Sequence, residues 1–218
     1  MKNKIAKLCA LLIIFAVACS SLNGIAIAAN NQLNPTGDTQ NGMVNDNTPN
    51  FTISSSAVIY VPGNYSTIQA AIDNASEGDT IIVRDGTYVE NIDVNKRLTI
   101  QSENGSDFTL VQAQSPYGHV FNVTADYVNI SGFTVNGASY SSGIYLGSGN
   151  HCNITDNNAS NSYNGIWLDS SSNNTISSNT VNSNDEYGIY LTYSSTPSSY
   201  NIISNNNASN NGVGIYLH

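Results

Sequence analysis

Gly143-Ile144-Tyr145-Leu146, Gly165-Ile166-Trp167-Leu168, Gly188-Ile189-Tyr190-Leu191 and Gly214-Ile215-Tyr216-Leu217 are four copies of one unit, set 22, 23 and 26 residues apart. A second unit runs in step with it: Ile130-Ser131, Ile154-Thr155, Ile176-Ser177 and Ile203-Ser204. Five residues after each of these isoleucines stands Val135, Ala159, Val181 or Ala208, and three residues after the last three stands Asn157, Asn179 or Asn206. A period near 22 residues with several strand-sized pieces excludes helical repeats, which need 3.6-residue periodicity, and leucine-rich repeats, which need a longer leucine pattern. The spacing predicts an all-β fold, a right-handed single-stranded parallel β-helix in which each repeat is one coil and each strand pairs with its equivalent ~4.8 Å along the axis.

Alternation along a strand then assigns faces. Ile144, Ile166, Ile189 and Ile215 form one inward row, and Leu146, Leu168, Leu191 and Leu217 the next. Tyr145, Trp167, Tyr190 and Tyr216 face outward in a row of their own, with Asp169 and Thr192 expected as polar contacts at its rim. One coil earlier the aromatic is replaced by Asn122, so the row is confined to the C-terminal coils. Asn157, Asn179 and Asn206 fall at one corner of successive coils, where their amides can bond the turn backbone and one another.

Upstream the repeat is less regular. Thr80–Val83, Leu98–Ile100, Val120–Val123 and Val128–Ile130 are short strand candidates separated by Gly, Asn, Asp and Ser, making about six coils from Gly78 to His218. Ser66 to Ala75 is the one amphipathic helix: Ser66 stands as its cap, and Ile68, Ala71, Ile72 and Ala75 share a face. Val58 to Val61 reads as a strand ended by Pro62-Gly63. Residues 57–218 are therefore expected to form the folded domain and 29–56, polar and aperiodic, a flexible spacer. Residues 1–28 carry Lys2, Lys4 and Lys7, an apolar run and Ala26-Ile27-Ala28, the layout of a secretory signal peptide. A membrane anchor and a lipoprotein with Cys19 lipidated are the alternatives for that segment.

Composition agrees with export. Only 10% of the 218 residues are charged, and Lys+Arg 6 against Asp+Glu 15 gives a net charge of -9. Without the leader only Arg84, Lys96 and Arg97 remain basic, so nucleic acid is excluded as a partner. Cys152 is then the single cysteine and reads as a buried filler.

The segment Tyr65-Ser-Thr-Ile-Gln-Ala-Ala-Ile72, with Gly78-Asp-Thr-Ile-Ile-Val83, Gly86-Thr-Tyr-Val-Glu90 and the repeated Asn-x-Ile-[Ser/Thr] and Gly-Ile-Tyr-Leu units, resembles the pectin-lyase-like superfamily. More narrowly it resembles the NosD-type and carbohydrate-binding (CASH-like) β-helix proteins of cell surfaces. The resemblance implies that the helix caps the first coil. It does not bring an activity with it, because one scaffold carries lyases, hydrolases, esterases and inert modules. The catalytic sets of pectin methylesterases, polygalacturonases and pectate lyases are absent, and no Lys or Arg follows Arg97. A lyase needs a base and either positive charge or calcium to stabilise its anion. Asp156 and Asp169 occupy different repeat positions, so no carboxylate pair is set up for glycoside hydrolysis. No catalytic residue is assigned.

The NosD resemblance implies copper, yet His119, His151, His218, Met43 and Cys152 are scattered, so no metal and no cofactor is expected. The reading is a secreted or cell-surface protein, non-catalytic, with a polysaccharide or envelope glycan as partner. A polysaccharide-processing enzyme and a purely structural or adhesive protein are the alternatives. Ten Asn-x-Ser/Thr sequons are present, of which Asn50 and Asn64 are the expected glycan acceptors. Solenoid ends need covering, so further coils or a partner are expected against the last Gly-Ile-Tyr-Leu coil.

Overall fold

A computed structural model describes residues 56–218; the expected leader, most of the spacer and Asn50 lie outside them. Three parallel sheets wind around one axis. The first has seven strands: β1 (Val58–Val61), β2 (Thr80–Val83), β5 (Thr99–Ser102), β8 (Asn129–Ser131), β11 (Asn153–Thr155), β14 (Thr175–Ser177) and β16 (Ile202–Ser204). The second stacks β4 (Ile92–Val94), β7 (Phe121–Val123), β10 (Ser142–Gly147), β13 (Asn164–Asp169), β15 (Tyr187–Thr192) and β17 (Val213–Leu217). The third has β3 (Gly86–Val89), β6 (Thr109–Gln112), β9 (Thr134–Asn136) and β12 (Asn158–Ala159). It continues through single bridges from Asn158 to Thr180 and from Thr180 to Asn207. This is the right-handed parallel β-helix that the repeat period predicts.

The register is the expected one. Ile144 pairs with Ile166, Ile166 with Ile189 and Ile189 with Ile215, and the leucines two residues on pair likewise. Ile144, Ile166, Ile189, Leu146 and Leu168 are fully buried, whereas Ile215 and Leu217 on β17 are exposed. The core continues toward the N-terminus through Phe121, Val123, Ile92 and Val94 in the same two rows. Between the edge strands each inward side chain thus has an apolar neighbour above and below, and the hydrophobic area removed from water is shared between adjacent coils.

Glycine opens each unit for a steric reason. A Cβ on Gly165 would stand 2.6 Å from the Gly188 carbonyl oxygen, and one on Gly188 would stand 2.5 Å from that of Gly214. No larger residue fits where consecutive coils approach so closely.

The asparagine corners explain the unusual composition. Asn179 Oδ1 accepts from the backbone N–H of Asn157 (3.0 Å) and from its Nδ2 (3.2 Å), while Asn179 Nδ2 donates to the Ile154 carbonyl (2.8 Å). Asn206 repeats the pattern on Asn179. Two further ladders do the same work: Asn184 with Asn211, and Asn174 with Asn201. Each is preceded by a residue with positive φ, among them Asp156 (57°), Ser178 (58°), Ser183 (58°) and Asn205 (56°). Asn, Asp and Ser tolerate that conformation better than bulky residues do, and the asparagine amide that follows satisfies backbone groups that a tight corner leaves unpaired.

The helix α1 (Ile68–Asn74) buries Ile68, Ala71 and Ile72. Its cap is Thr67 rather than the expected Ser66: the Thr67 hydroxyl accepts from Ala70 N, because the chain is still extended at Thr67 (φ -127°, ψ 156°). The Glu90 carboxylate accepts from the N–H groups of Ile68 (3.0 Å) and Gln69 (2.9 Å), and Lys96 Nζ donates to the carbonyls of Ile72, Asp73 and Ala75. Both helix ends are therefore tied to the coil beneath.

Candidate functional site

One outward column runs the length of the second sheet. In register it reads Asp93, Asn122, Tyr145, Trp167, Tyr190 and Tyr216. Its first two members are polar and joined by a 2.7 Å bond from Asn122 Nδ2 to Asp93 Oδ1. From Tyr145 onward it is aromatic. Ring centroids are 4.8 Å apart for Tyr145 and Trp167, 5.6 Å for Trp167 and Tyr190, and 5.7 Å for Tyr190 and Tyr216. The first pair meets edge to face at 60° and the second is nearly parallel at 23°, both favoured aromatic geometries.

Beside this row lies a cleft of about 380 Å³, at the low end of the ~300–1,000 Å³ typical of small-ligand pockets. Trp167, Tyr187 and Tyr190 line it from the strands, and Tyr140, Tyr163 and Glu186 from the corner that leads into them. His119 and the buried Ser141 and Asn164 complete the lining. Tyr140 and Tyr163 are 67% and 40% exposed, so ring surface stays open to solvent there. The Trp167 Nε1 is buried without a partner among the described residues, so this indole offers carbon at the surface rather than a donor.

His119 lies flat on Tyr145, with centroids 4.2 Å apart and planes 9° from parallel. Its Nδ1 accepts the Ser142 backbone N–H at 3.2 Å and lies 2.9 Å from Ser141 Oγ. Burial pushes its pKa down to about 4, against a smaller upward pull from Asp93. At neutral pH the ring is uncharged, and because Nδ1 accepts, its proton is on Nε2. Glu186 sits beside the hydroxyls of Tyr163 and Tyr187 and raises both phenols above their ordinary value, by hydrogen bonding first.

Of the six residues expected at the site, Trp167 and Tyr190 line the cleft, and Tyr145 and Tyr216 extend the row on either side. Asp169 and Thr192 do not stand at the rim. Both are buried, because the chain after β15 folds back over them. The Asp169 carboxylate accepts from Ser194 N (2.7 Å), Ser194 Oγ (2.6 Å) and Ser170 Oγ (3.2 Å), and also from Tyr145 OH (3.3 Å). It anchors the loop that follows β15. The sequence reading missed His119, Tyr140, Tyr163, Tyr187 and Glu186. Tyr140, Tyr163 and Tyr187 precede their glycines by three, two and one residues, so unequal corner lengths hide a shared location.

The sequons are not equivalent. Asn64 is exposed and uses only its Oδ1, which accepts from Tyr60 N, leaving Nδ2 free. Asn153 and Asn129 instead spend Nδ2 on Asn129 Oδ1 and Thr99 Oγ1.

Residues 72–218 match the family model for the periplasmic copper-binding protein NosD. The chain belongs to the NosD family. It is also 39% identical over 105 residues to a cell surface glycoprotein of Methanothermus fervidus, an alignment covering 47% of this chain and 17% of that relative. The structure is similar to an alginate lyase from Paenibacillus sp. str. FPU-7 (TM-score 0.58, 24% identity, 69% of this chain and 57% of that one). It is similar too to pectate lyase Pel9A (TM-score 0.53, 20% identity, 74% and 56%). The chain thus spans little more than half of these lyases and under a fifth of the glycoprotein; the lyase likeness concerns the fold alone.

A copper site needs clustered His, Met or Cys ligands. Among the described residues no three His, Cys, Asp or Glu side chains come together. Cys152 is buried against the carbonyls of Ala125 and Asn150, and burial pushes its thiol up to about 11, which keeps it protonated. His151 stacks on Tyr127 and His218 on Tyr193, far apart in the coils. These residues do not fit a copper site. No helix among the described residues is long and apolar enough to cross a membrane.

Proposed function

We propose that this NosD-family β-helix is a cell-surface or secreted protein that holds a glycan against the aromatic half of its second sheet, without cleaving it. The observation that carries the reading is the cleft lined by Trp167, Tyr190, Tyr187, Tyr163 and Tyr140. Open aromatic surface on a soluble protein is unfavourable unless a partner covers it, and flat rings suit the apolar faces of pyranose sugars. The likeness to a cell surface glycoprotein supports the location. Non-catalysis is supported by the chemistry of the cleft: Glu186 is its one carboxylate, and neither acid pair nor cation stands with it.

A second reading has an observation of its own. His119 covers one face of Tyr145, and Tyr187 stacks on Tyr190 at 4.5 Å, so part of the ring surface is already used in stiffening the sheet. Trp167→Ala separates the two. Lost retention on a polysaccharide panel with little change in melting temperature supports binding. A large fall in melting temperature with retention unchanged assigns the row to structure.

A further inference from the structure

We infer that the cleft selects uncharged sugar residues over uronates, an inference that rests on the glycan-binding reading above and adds the charge of the ligand. At neutral pH the residues lining the cleft carry one formal charge, the carboxylate of Glu186. His119 is neutral there, for the burial and tautomer reasons already given. The phenols of Tyr163 and Tyr187 are protonated at neutral pH as tyrosines ordinarily are, and Glu186 beside them raises both further.

No cation is placed to receive an acid. The sequence has no Lys or Arg after Arg97, so no strand from β5 to β17 contributes one. None of the basic side chains of the earlier coils lines this cleft, and Arg97 lies instead with Glu77, Asp126 and Tyr127. Lys96 closes the end of α1, and Arg84 donates to the Pro62 carbonyl, lies 3.8 Å from Glu103 and covers the Tyr60 ring. A uronate would bring a carboxylate at each residue into a partly desolvated cleft beside a fixed carboxylate, where like charges repel more strongly than in bulk water.

Hydroxyl groups meet the opposite situation. The Nε2–H of His119 is a donor and Glu186 an acceptor, whereas Ser141 Oγ is bonded to His119 Nδ1 and the Asn164 amide to Ser142 Oγ and the Tyr187 N–H. Rings for the apolar face, one donor and one acceptor for hydroxyls, and no counter-ion for an acid together describe a site for neutral pyranose chains.

Polymers that differ only in charge test this. The full chain is run in affinity electrophoresis against polygalacturonate and alginate, against the same two polymers with their carboxyls reduced to primary alcohols, and against a neutral glucan and a xylan. Reduced or neutral polymers are expected to bind at least tenfold more tightly than the acidic parents. Glu186→Gln should narrow that ratio, as should raised salt, since both weaken the repulsion. Equal or tighter binding of the acidic parents overturns the charge selection while leaving glycan binding intact. Retention of none of the polymers overturns the glycan-binding reading itself.

Discussion

The N-terminal and C-terminal coils use one core and two different surfaces. In the outward column Asp93 and Asn122 hydrogen-bond to each other, whereas Tyr145, Trp167, Tyr190 and Tyr216 form a wall of rings. The inward rows on either side do not change character: Ile92 and Val94, Phe121 and Val123, Ile144 and Leu146 are all buried. Charge divides the same way, with Arg84, Lys96 and Arg97 in the early coils and no cation afterward. The difference teaches that inward positions decide the stacking and outward positions are free to acquire a function. A β-helix can therefore keep its fold along the axis and restrict binding to part of its length.

The largest expected effect comes from breaking what both halves share. Ile166→Asp puts a carboxylate between Ile144 and Ile189 and should destabilise the protein by ~4 kcal/mol or more. Chemical denaturation measures it, and unchanged stability would break the assigned register.

The corner ladders give the next effect, and they distinguish the halves. Asn179→Ala leaves the Asn157 N–H unpaired inside the coil, removes the side-chain donor to the Ile154 carbonyl and should cost ~2 kcal/mol. Asn122→Ala, at a surface position of the early coils, should cost under ~0.5 kcal/mol. Similar losses in the two variants would mean that the asparagines of the C-terminal coils are ordinary surface residues.

A smaller effect is expected from His119, where the two surfaces meet. Its pKa in the folded state is about 4, below its ordinary 6.5, so between those values the unfolded chain binds the extra proton. The stability due to the neutral, buried ring is complete above pH ~6.5 and declines as pH falls toward 4. Carboxylate titrations overlap this window, so the readout is the difference between the native chain and His119→Gln. That difference should shrink on acidification; a constant difference from pH 7.5 to 4 would contradict the buried neutral imidazole.

The smallest effect concerns decoration. In a glycosylating, exporting host, Asn64 should carry glycan and Asn153 should not, because the Asn153 amide is already donated within the sheet. Peptide mapping by mass spectrometry checks both, and occupancy of Asn153 alone would reverse the assignment.

Much of the fold was legible because inward isoleucine and leucine recur at nearly constant spacing from Gly143 onward. In the early coils Thr80, Thr99 and Asn129 stack in register although 19 and 30 residues separate them, so variable loops conceal the period. The helix was legible from its apolar face, but its cap was displaced by one residue, since Ser66 and Thr67 are equally good candidates in sequence. The aromatic row was legible from alternation alone. The rest of the cleft was not. Tyr140, Tyr163 and Glu186 sit in corners, where no periodicity relates position to direction, and Asp169 was misplaced because the fold-back of Ser194 over it leaves no mark in the repeat.

Trp167→Asn tests the central claim most directly, since it writes the polar residue of the early coils into the aromatic half of the same column. Glycan retention on neutral polymers should be lost while the melting temperature stays within about 4 °C of the native value. Retention unchanged with a much larger fall in melting temperature would contradict the division between an inward core that makes the fold and an outward column that makes the function.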